Sequence, residues 1–310
     1  MHYNYLFGPV PSRRLGTSLG IDLTPNKTCT LNCLYCECGK TDELTLERRE
    51  YVPTTAVIAE LREYLSASPE LDSITFSGSG EPTLHSGIGS IIAMLKDEFP
   101  AYRVTVLTNS TLLPDAAVRA ELLRADVVVP SLDAVSEEVF RKINRPRPGL
   151  RSTDLIEGLV AFTQEFTGEI WLEIFVIPGI NDTEEEIALF RHTLQRLRTT
   201  HIQLNALDRP GAVDWIQPMP RENLVALARQ LGPDVEVVGK ALLRHRCTAY
   251  SADVETHILS LLRVRPCTLD DLADSLQLHP LDVGKYLDVM IGEQKLRTRR
   301  EDRGVFYLLA

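Results

Sequence analysis

Four of the chain's six cysteines, Cys29, Cys33, Cys36 and Cys38, fall within ten residues, while Cys247 and Cys267 stand alone. That grouping constrains the chain more than any other feature. Six cysteines in 310 residues are too few for a disulfide-stapled scaffold, and a tight group in a reducing compartment marks metal or redox chemistry. The spacing is Cys29-x3-Cys33-x2-Cys36, so three thiolates can wrap one centre from a short loop. Structural zinc takes four protein ligands, and iron–sulfur clusters ordinarily take four thiolates. Three would leave one iron open to another ligand. Cys38, one residue beyond Cys36, is poorly spaced to close the same cube. Zinc, a purely structural cluster and a chance group of buried thiols remain alternatives at this point.

The loop follows a β-rich run, Leu19–Thr24, and five more such runs recur: Ser73–Ser77, Arg103–Leu107, Val127–Ser131, Ile170–Ile177 and Ile202–Leu204. Several are continuously apolar or β-branched, as strands buried on both faces are. Amphipathic helical patterns separate them at 54–66, 88–99, 115–124, 153–166, 183–197 and 221–231, and Thr183 with Glu186 fits a capping box. The alternation predicts a parallel α/β sheet of six strands, either a partial barrel or an open doubly wound sheet.

The C-terminal stretch reads differently. A helix over Asp253–Arg263, a second capped by Thr268 and reaching Leu276, a third over Asp282–Ile291 and a hairpin over Lys295–Leu309 form a winged-helix pattern. We therefore expect two domains, 1–245 and 253–310, with the boundary between Gly239 and Asp253.

Cys29-x3-Cys33-x-Tyr35-Cys36 resembles the signature of the radical S-adenosylmethionine (radical SAM) superfamily, including the aromatic residue before the third cysteine. The stretches Phe7-Gly8-Pro9-Val10-Pro11-Ser12-Arg13-Arg14-Leu15-Gly16 and Gly20-Ile21-Asp22-Leu23 resemble a branch related to the wyosine-base synthases of tRNA modification. The resemblance covers roughly Phe7 to Gly211. It implies a partial (β/α)6 barrel of radical SAM type with a small winged-helix domain behind it. It further implies a 4Fe-4S cluster on Cys29, Cys33 and Cys36, whose open iron chelates S-adenosyl-L-methionine. One electron, from a donor such as flavodoxin or ferredoxin, then cleaves the sulfonium to methionine and a 5′-deoxyadenosyl radical that abstracts a substrate hydrogen.

Other residues fit that picture. Ser77-Gly78-Ser79-Gly80-Glu81-Pro82 ends the second predicted strand and resembles the superfamily's Gly-Gly-Glu motif, with Ser79 in place of the first Gly. Gly78 and Gly80 let backbone approach a ligand closely, and Glu81 is placed to receive an ammonium; a plain βα turn is the competing reading. Thr108-Asn109-Ser110 and Ser131-Leu132-Asp133 gather polar groups at the carboxyl edge, where such folds bind ligands. The resemblance implies that Ser131 and Asp133 face the ribose and methionine part of the cofactor, with Asn109 beside them, and helix capping is the alternative. Glu173, a carboxylate inside the apolar run Trp171–Phe175, must face a polar lumen or pair with a cation, so it joins Tyr35 as a candidate for the cofactor site, with a structural ion pair as the alternative. Asn181, Asn205 and Arg209 are candidate substrate contacts. Arg13 and Arg14 read equally as an anion clamp or as solvated charges. The basic, proline-rich loop 144–149 reads as a lid or as a solvated connection. No motif joins Cys38, Cys247 and Cys267 into a second cluster.

These residues predict a radical SAM enzyme acting on an unidentified substrate, with a peptide, protein or small molecule favoured. A tRNA-modifying enzyme is the alternative, and an iron–sulfur regulator binding nucleic acid through the winged helix is the alternative of another class. Lys plus Arg number 33 and Asp plus Glu 43, a net charge of −10, which disfavours broad nucleic-acid binding. Across Asp253–Ala310 ten acidic residues meet eight basic ones, so duplex DNA is an unlikely partner. RNA or an acidic peptide remains open through Lys295, Arg297, Arg299, Arg300 and Arg303. No apolar run approaches the ~18–20 residues of a membrane span, and residues 1–20 lack a signal-peptide pattern. We expect a cytoplasmic protein without a membrane partner.

Overall fold

The computed structural model describes residues 3–12, 14–24, 27–208, 211–238, 254–276, 278 and 280–310. Strands β1 (Leu6–Ser12) and β2 (Gly16–Ile21) pair antiparallel. The two-residue strands β3 (Thr28–Cys29) and β4 (Glu43–Leu44) pair beside the cysteine loop. Helices and strands then alternate as α1 (Thr54–Leu65), β5 (Ser73–Phe76), α2 (Ile88–Glu98), β6 (Val104–Thr108), α3 (Ala116–Leu122), β7 (Val127–Pro130), α4 (Glu137–Asn144), α5 (Ser152–Glu165), β8 (Glu169–Val176), α6 (Glu184–Leu194), β9 (His201–Ala206), α7 (Arg221–Leu231) and β10 (Val235–Val237).

The main sheet runs β1-β2-β5-β6-β7-β8-β9-β10, and every pairing from β2 onward is parallel. Its order never doubles back, so it lacks the switch point of a doubly wound sheet. The fold is a partial α/β barrel. The six expected strands are present. Two more were not legible: β1 carries two prolines, tolerated on an edge strand, and β10 is three residues long, too short to show a period.

Alternation along the strands sorts the two faces. Ile74 and Phe76 of β5 join the apolar core beneath the helices, with Val57, Leu61 and Leu65 of α1 and Ile88, Ile91, Ile92 and Leu95 of α2. Ser73 and Thr75, on the other face, join a buried chain of hydroxyls in which Ser18 Oγ lies 2.6 Å from Thr75 Oγ1 and Ser73 Oγ lies 2.8 Å from Thr105 Oγ1. The barrel interior is therefore polar here, and these hydroxyls are paired, as burial requires. The capping box expected at α6 is only half present. Thr183 accepts from the Glu186 amide, but the Glu186 carboxylate instead receives the amides of Val135 and Ser136.

The C-terminal unit contains α8 (Val254–Val264), β11 (Cys267–Thr268), α9 (Leu269–Leu276), α10 (Pro280–Gly292), β12 (Leu296–Glu301) and β13 (Gly304–Leu309), with strand order β11-β13-β12. Thr268 caps α9 reciprocally: Asp271 N donates to Thr268 Oγ1 at 3.1 Å, and Thr268 N donates to Asp271 Oδ2 at 2.9 Å. The unit has its own core, including Ile258, Leu262, Leu272, Leu287 and Met290, into which Val10 of β1 also packs. The expected boundary segment, 239–253, lies outside the described residues. Among the described residues no helix is long and apolar enough to cross a membrane.

Candidate active site

The cysteine loop leaves β3 and is stitched to the end of α4. Asn32 N donates to Asn144 O at 2.9 Å, Leu34 N to Ile143 O at 2.9 Å, and Arg147 N to Thr30 O at 2.9 Å. The 144–149 segment, read in the sequence as a lid or a solvated connection, instead holds the cysteine loop by its backbone. Arg145 takes the left-handed conformation (φ 45°) that ends α4 and turns the chain into this contact.

Side-chain amides reach two of the sulfurs. Asn109 Nδ2 lies 3.4 Å from Cys29 Sγ and 2.8 Å from Thr30 Oγ1. Asn144 Nδ2 lies 3.4 Å from Cys33 Sγ and 2.7 Å from Asp133 Oδ2. The sequence singled out Asn109 but missed Asn144 as a site residue. Its only local signal is an Asn at a helix end, which is ordinarily a capping choice. Cys38 Sγ lies 3.4 Å from Gly78 O and 2.8 Å from Val264 O, at the end of α8. Cys247 lies outside the described residues, and Cys267 is buried in the core of the C-terminal unit.

Tyr35 and Asp133 are joined. The Tyr35 hydroxyl donates to Asp133 Oδ2, and its ring stacks on Phe175 with centroids 3.8 Å apart and planes 9° apart. Asp133 Oδ1 accepts from Phe175 N at 3.0 Å. Three donors thus converge on one buried carboxylate. Burial still pushes Asp133 up to about 6, with its hydrogen bonds opposing the shift.

Glu81 is 2% exposed. Its Oε1 accepts from Thr83 N (3.1 Å), Thr83 Oγ1 (2.6 Å) and Thr108 Oγ1 (2.7 Å), and its Oε2 from Asn109 N (2.7 Å). The sequence cast this carboxylate as a direct ammonium receptor. The structure engages it with four protein donors, so it ties the end of β5 to the end of β6. What faces the cysteine loop at this turn is backbone. Glu81 N donates to Thr28 O at 3.1 Å, and a Cβ on Gly80 would sit 1.9 Å from that same oxygen, so only glycine allows the approach. Gly78 (φ +136°) packs on Asp22, whose Oδ2 accepts from Ser79 N at 3.1 Å and Ser79 Oγ at 2.6 Å.

Across the lumen, Ser131 bridges to Glu173 by backbone pairing. Glu173 forms an ion pair with Arg14, and Asn205 Nδ2 lies 3.4 Å from its Oε2. The carboxylate within the apolar strand does have its cation. Asn181 is not free to meet a substrate: its amide donates to Asp133 O and Phe175 O at 2.8 and 2.7 Å and accepts from Ile177 N at 2.8 Å. Arg13 and Arg209 lie outside the described residues.

The three cysteines sense one another and their surroundings. Burial, then the Glu81 charge, pushes Cys29 up to about 12, and burial with the Asp133 charge raises Cys33 as well. Cys36 is lowered, first by a hydrogen bond from Cys38 and, against the effect of burial, by the Lys27 ammonium. Lys27 is itself buried, and among the described residues its Nζ meets no oxygen or nitrogen acceptor. Among the described residues no three His, Cys, Asp or Glu side chains converge tightly enough for a single metal ion.

A family model described as the radical SAM superfamily matches residues 23–191. A UPF0026 protein of Methanocaldococcus jannaschii is 32% identical over 97% of this chain and 95% of its own length. A GTPase Obg of Brachyspira hyodysenteriae is 39% identical over 64% of this chain, but the match covers 29% of that protein. A solved radical SAM methyltransferase from Sphaerobacter thermophilus superposes with a TM-score of 0.53 at 22% identity, over 71% of this chain and 65% of its own length.

Proposed function

The chain belongs to the radical SAM superfamily, whose enzymes use a 4Fe-4S cluster and S-adenosyl-L-methionine, and from that premise we propose that Cys29, Cys33 and Cys36 hold the cluster. The donor set fits. Three thiols on one loop interact electrostatically, two of them meet amide N–H groups, and a buried ammonium stands beside the third. N–H···S contacts and nearby cations stabilise thiolate ligands, and they are the usual means by which a protein tunes such a centre.

A cluster held there would supply one-electron reductive chemistry toward S-adenosyl-L-methionine. The chain's own residues position it. Tyr35, held by Asp133 and Phe175, orients the cysteine loop. Gly80 lets the 78–81 turn close on the β3 backbone beside the cysteines, with Glu81 bracing that turn. Asn109 braces the first cysteine. Ser131 and Glu173, on the strands that follow, face the lumen where the nucleoside and substrate would meet.

The substrate we favour is a peptide, a protein or a small molecule. The observation behind this is the fate of the basic hairpin. Arg299 pairs with Asp214 at 2.6 Å, Arg303 with Asp208 and Asp271, and Lys295 with Glu255 at 2.6 Å. Three of the hairpin's five cations thus have acidic partners within the chain, an arrangement that favours a peptide or small molecule over tRNA. The element order of the C-terminal unit supports a winged helix that serves the barrel rather than duplex DNA.

The test is anaerobic reconstitution followed by incubation with S-adenosyl-L-methionine and reductant. Expected are about four irons per chain, a broad absorption near ~400 nm, and 5′-deoxyadenosine. Replacing Cys29, Cys33 and Cys36 together by Ala should abolish the cluster, and Cys38→Ala should leave it. Iron that survives the triple replacement would sink the assignment.

A further inference from the structure

Lys27 precedes the first cysteine by two residues, and its side chain is turned into the protein. The residue is 5% exposed, its Nζ is sealed from solvent, and among the described residues Nζ meets no oxygen or nitrogen acceptor. Its backbone takes the left-handed region (φ 44°), and its carbonyl accepts from Asp42 N at 3.3 Å. The chain around it is thus anchored, with the ammonium left inside. Its ammonium is hydrogen-bonded to the Cys36 thiol, and its charge also acts on Cys29 and Cys38.

A buried ammonium without an anion carries one of the largest single penalties in a folded protein. Such a group persists only where a negative charge belongs beside it. Two carboxylates of this rim are already held by the protein, Glu81 by Thr83, Thr108 and Asn109, and Asp22 by Ser79 and Thr24. Among the described residues, the group set against the Lys27 ammonium is the Cys36 thiol. A 4Fe-4S centre on three thiolates is negative, and it is one unit more negative after reduction. A fixed cation in a water-poor pocket favours the reduced form more than the oxidised one.

We propose that Lys27 is a positioning residue that supplies the fixed counter-charge of the cluster pocket and raises the cluster's reduction potential. The inference rests on the assignment of Cys29, Cys33 and Cys36 as cluster ligands. It adds a role for a residue that no motif marks. The side chain acts by charge, so its length matters less than its sign.

The experiment compares wild type with Lys27→Met, Lys27→Gln and Lys27→Arg in the reconstituted full-length protein. It reads iron content and the midpoint of the reduced-cluster signal in an EPR-monitored redox titration. The expected result is full iron content in every variant, with Lys27→Met and Lys27→Gln losing at least tenfold in the one-electron reduction equilibrium, a shift of about 59 mV to lower potential. Lys27→Arg should stay near wild type. If both neutral variants fail to retain iron while Lys27→Arg retains it, the counter-charge is required for assembly and the proposal stands. An unchanged midpoint in loaded neutral variants overturns it, including the case where they bind S-adenosyl-L-methionine less tightly and Lys27 therefore meets the ligand's carboxylate. Loss of iron from Lys27→Arg as well overturns it in favour of a steric role. A wild type that takes up no cluster would instead refute the underlying cysteine assignment.

Discussion

The hydroxyl of Tyr35, in the cysteine loop, donates to the carboxylate of Asp133, 98 residues further along the chain at the end of β7. That bond sets the position of the third cysteine relative to the barrel. Asp133 also takes Asn144 Nδ2, which reaches Cys33, and Phe175 N, whose ring stacks on Tyr35. One carboxylate therefore links the loop, α4 and β8. The expectation that Asp133 faces the cofactor becomes, on this geometry, an indirect role through the loop it holds.

Asp133→Leu should lower stability by at least about 1.5–3 kcal/mol, because it leaves the Tyr35 hydroxyl, the Asn144 amide and the Phe175 amide buried without an acceptor. Tyr35→Phe removes one donor and should cost less. Urea unfolding of the two variants reads the difference. Equal losses would show that the three donors do not act through Asp133.

Glu81→Ala should lower stability by ~1.5–3 kcal/mol, the scale of the charge-assisted contacts it removes inside the protein, and should weaken S-adenosyl-L-methionine binding only through the rim it displaces, while iron content is kept. The carboxylate holds Thr83, Thr108 and Asn109 rather than an open position, so the affinity loss should come with a lower melting temperature. Calorimetry beside a thermal melt decides the point. Weakened binding at an unchanged melting temperature would restore direct contact between Glu81 and the ligand.

His85 supplies a pH dependence. It is buried; its Nε2 donates to Val52 O at 2.7 Å and its Nδ1 accepts from Gly87 N at 3.0 Å. Burial lowers its pKa, and a protonated ring could not accept from Gly87. The unfolded chain then binds more protons than the folded one. Stability is fully present above the unfolded value of ~6.5 and is lost as pH falls below it toward the depressed folded value. Thermal melts between pH 7.5 and 5 should show a decline that His85→Gln flattens. A decline identical in the variant would assign it to other groups.

The full-length chain should show no micromolar binding to duplex DNA at physiological salt. Arg299 and Arg303 are held by Asp214, Asp208 and Asp271, and non-specific affinity depends on free cations at the phosphates. Anisotropy titrations at two salt concentrations test this. Micromolar binding with a steep salt slope would mean that the hairpin leaves the barrel to bind nucleic acid. Surface ion pairs of this kind contribute only ~0–1 kcal/mol each, so a ligand with many phosphates could compete for them.

The sequence alone determined the strand–helix alternation, the parallel sheet, the cysteine spacing and the elements of the C-terminal unit. Each is written in short-range terms: continuous apolar runs for buried strands, a 3.6-residue period for helices, and three thiols within eight residues. The tertiary structure decided what those elements do to one another. Asn144 meets Cys33 across 111 residues, Arg14 meets Glu173 across 159, and the Glu81 carboxylate is claimed by Thr108 and Asn109 at the end of the neighbouring strand. A polar side chain's partner is chosen by which loops the barrel brings to one rim, and no local pattern encodes that choice. Lys27 shows the limit most clearly. In the sequence it is one lysine among many, and only burial beside the thiols, with no oxygen or nitrogen acceptor among the described residues, gives its charge a place in the site.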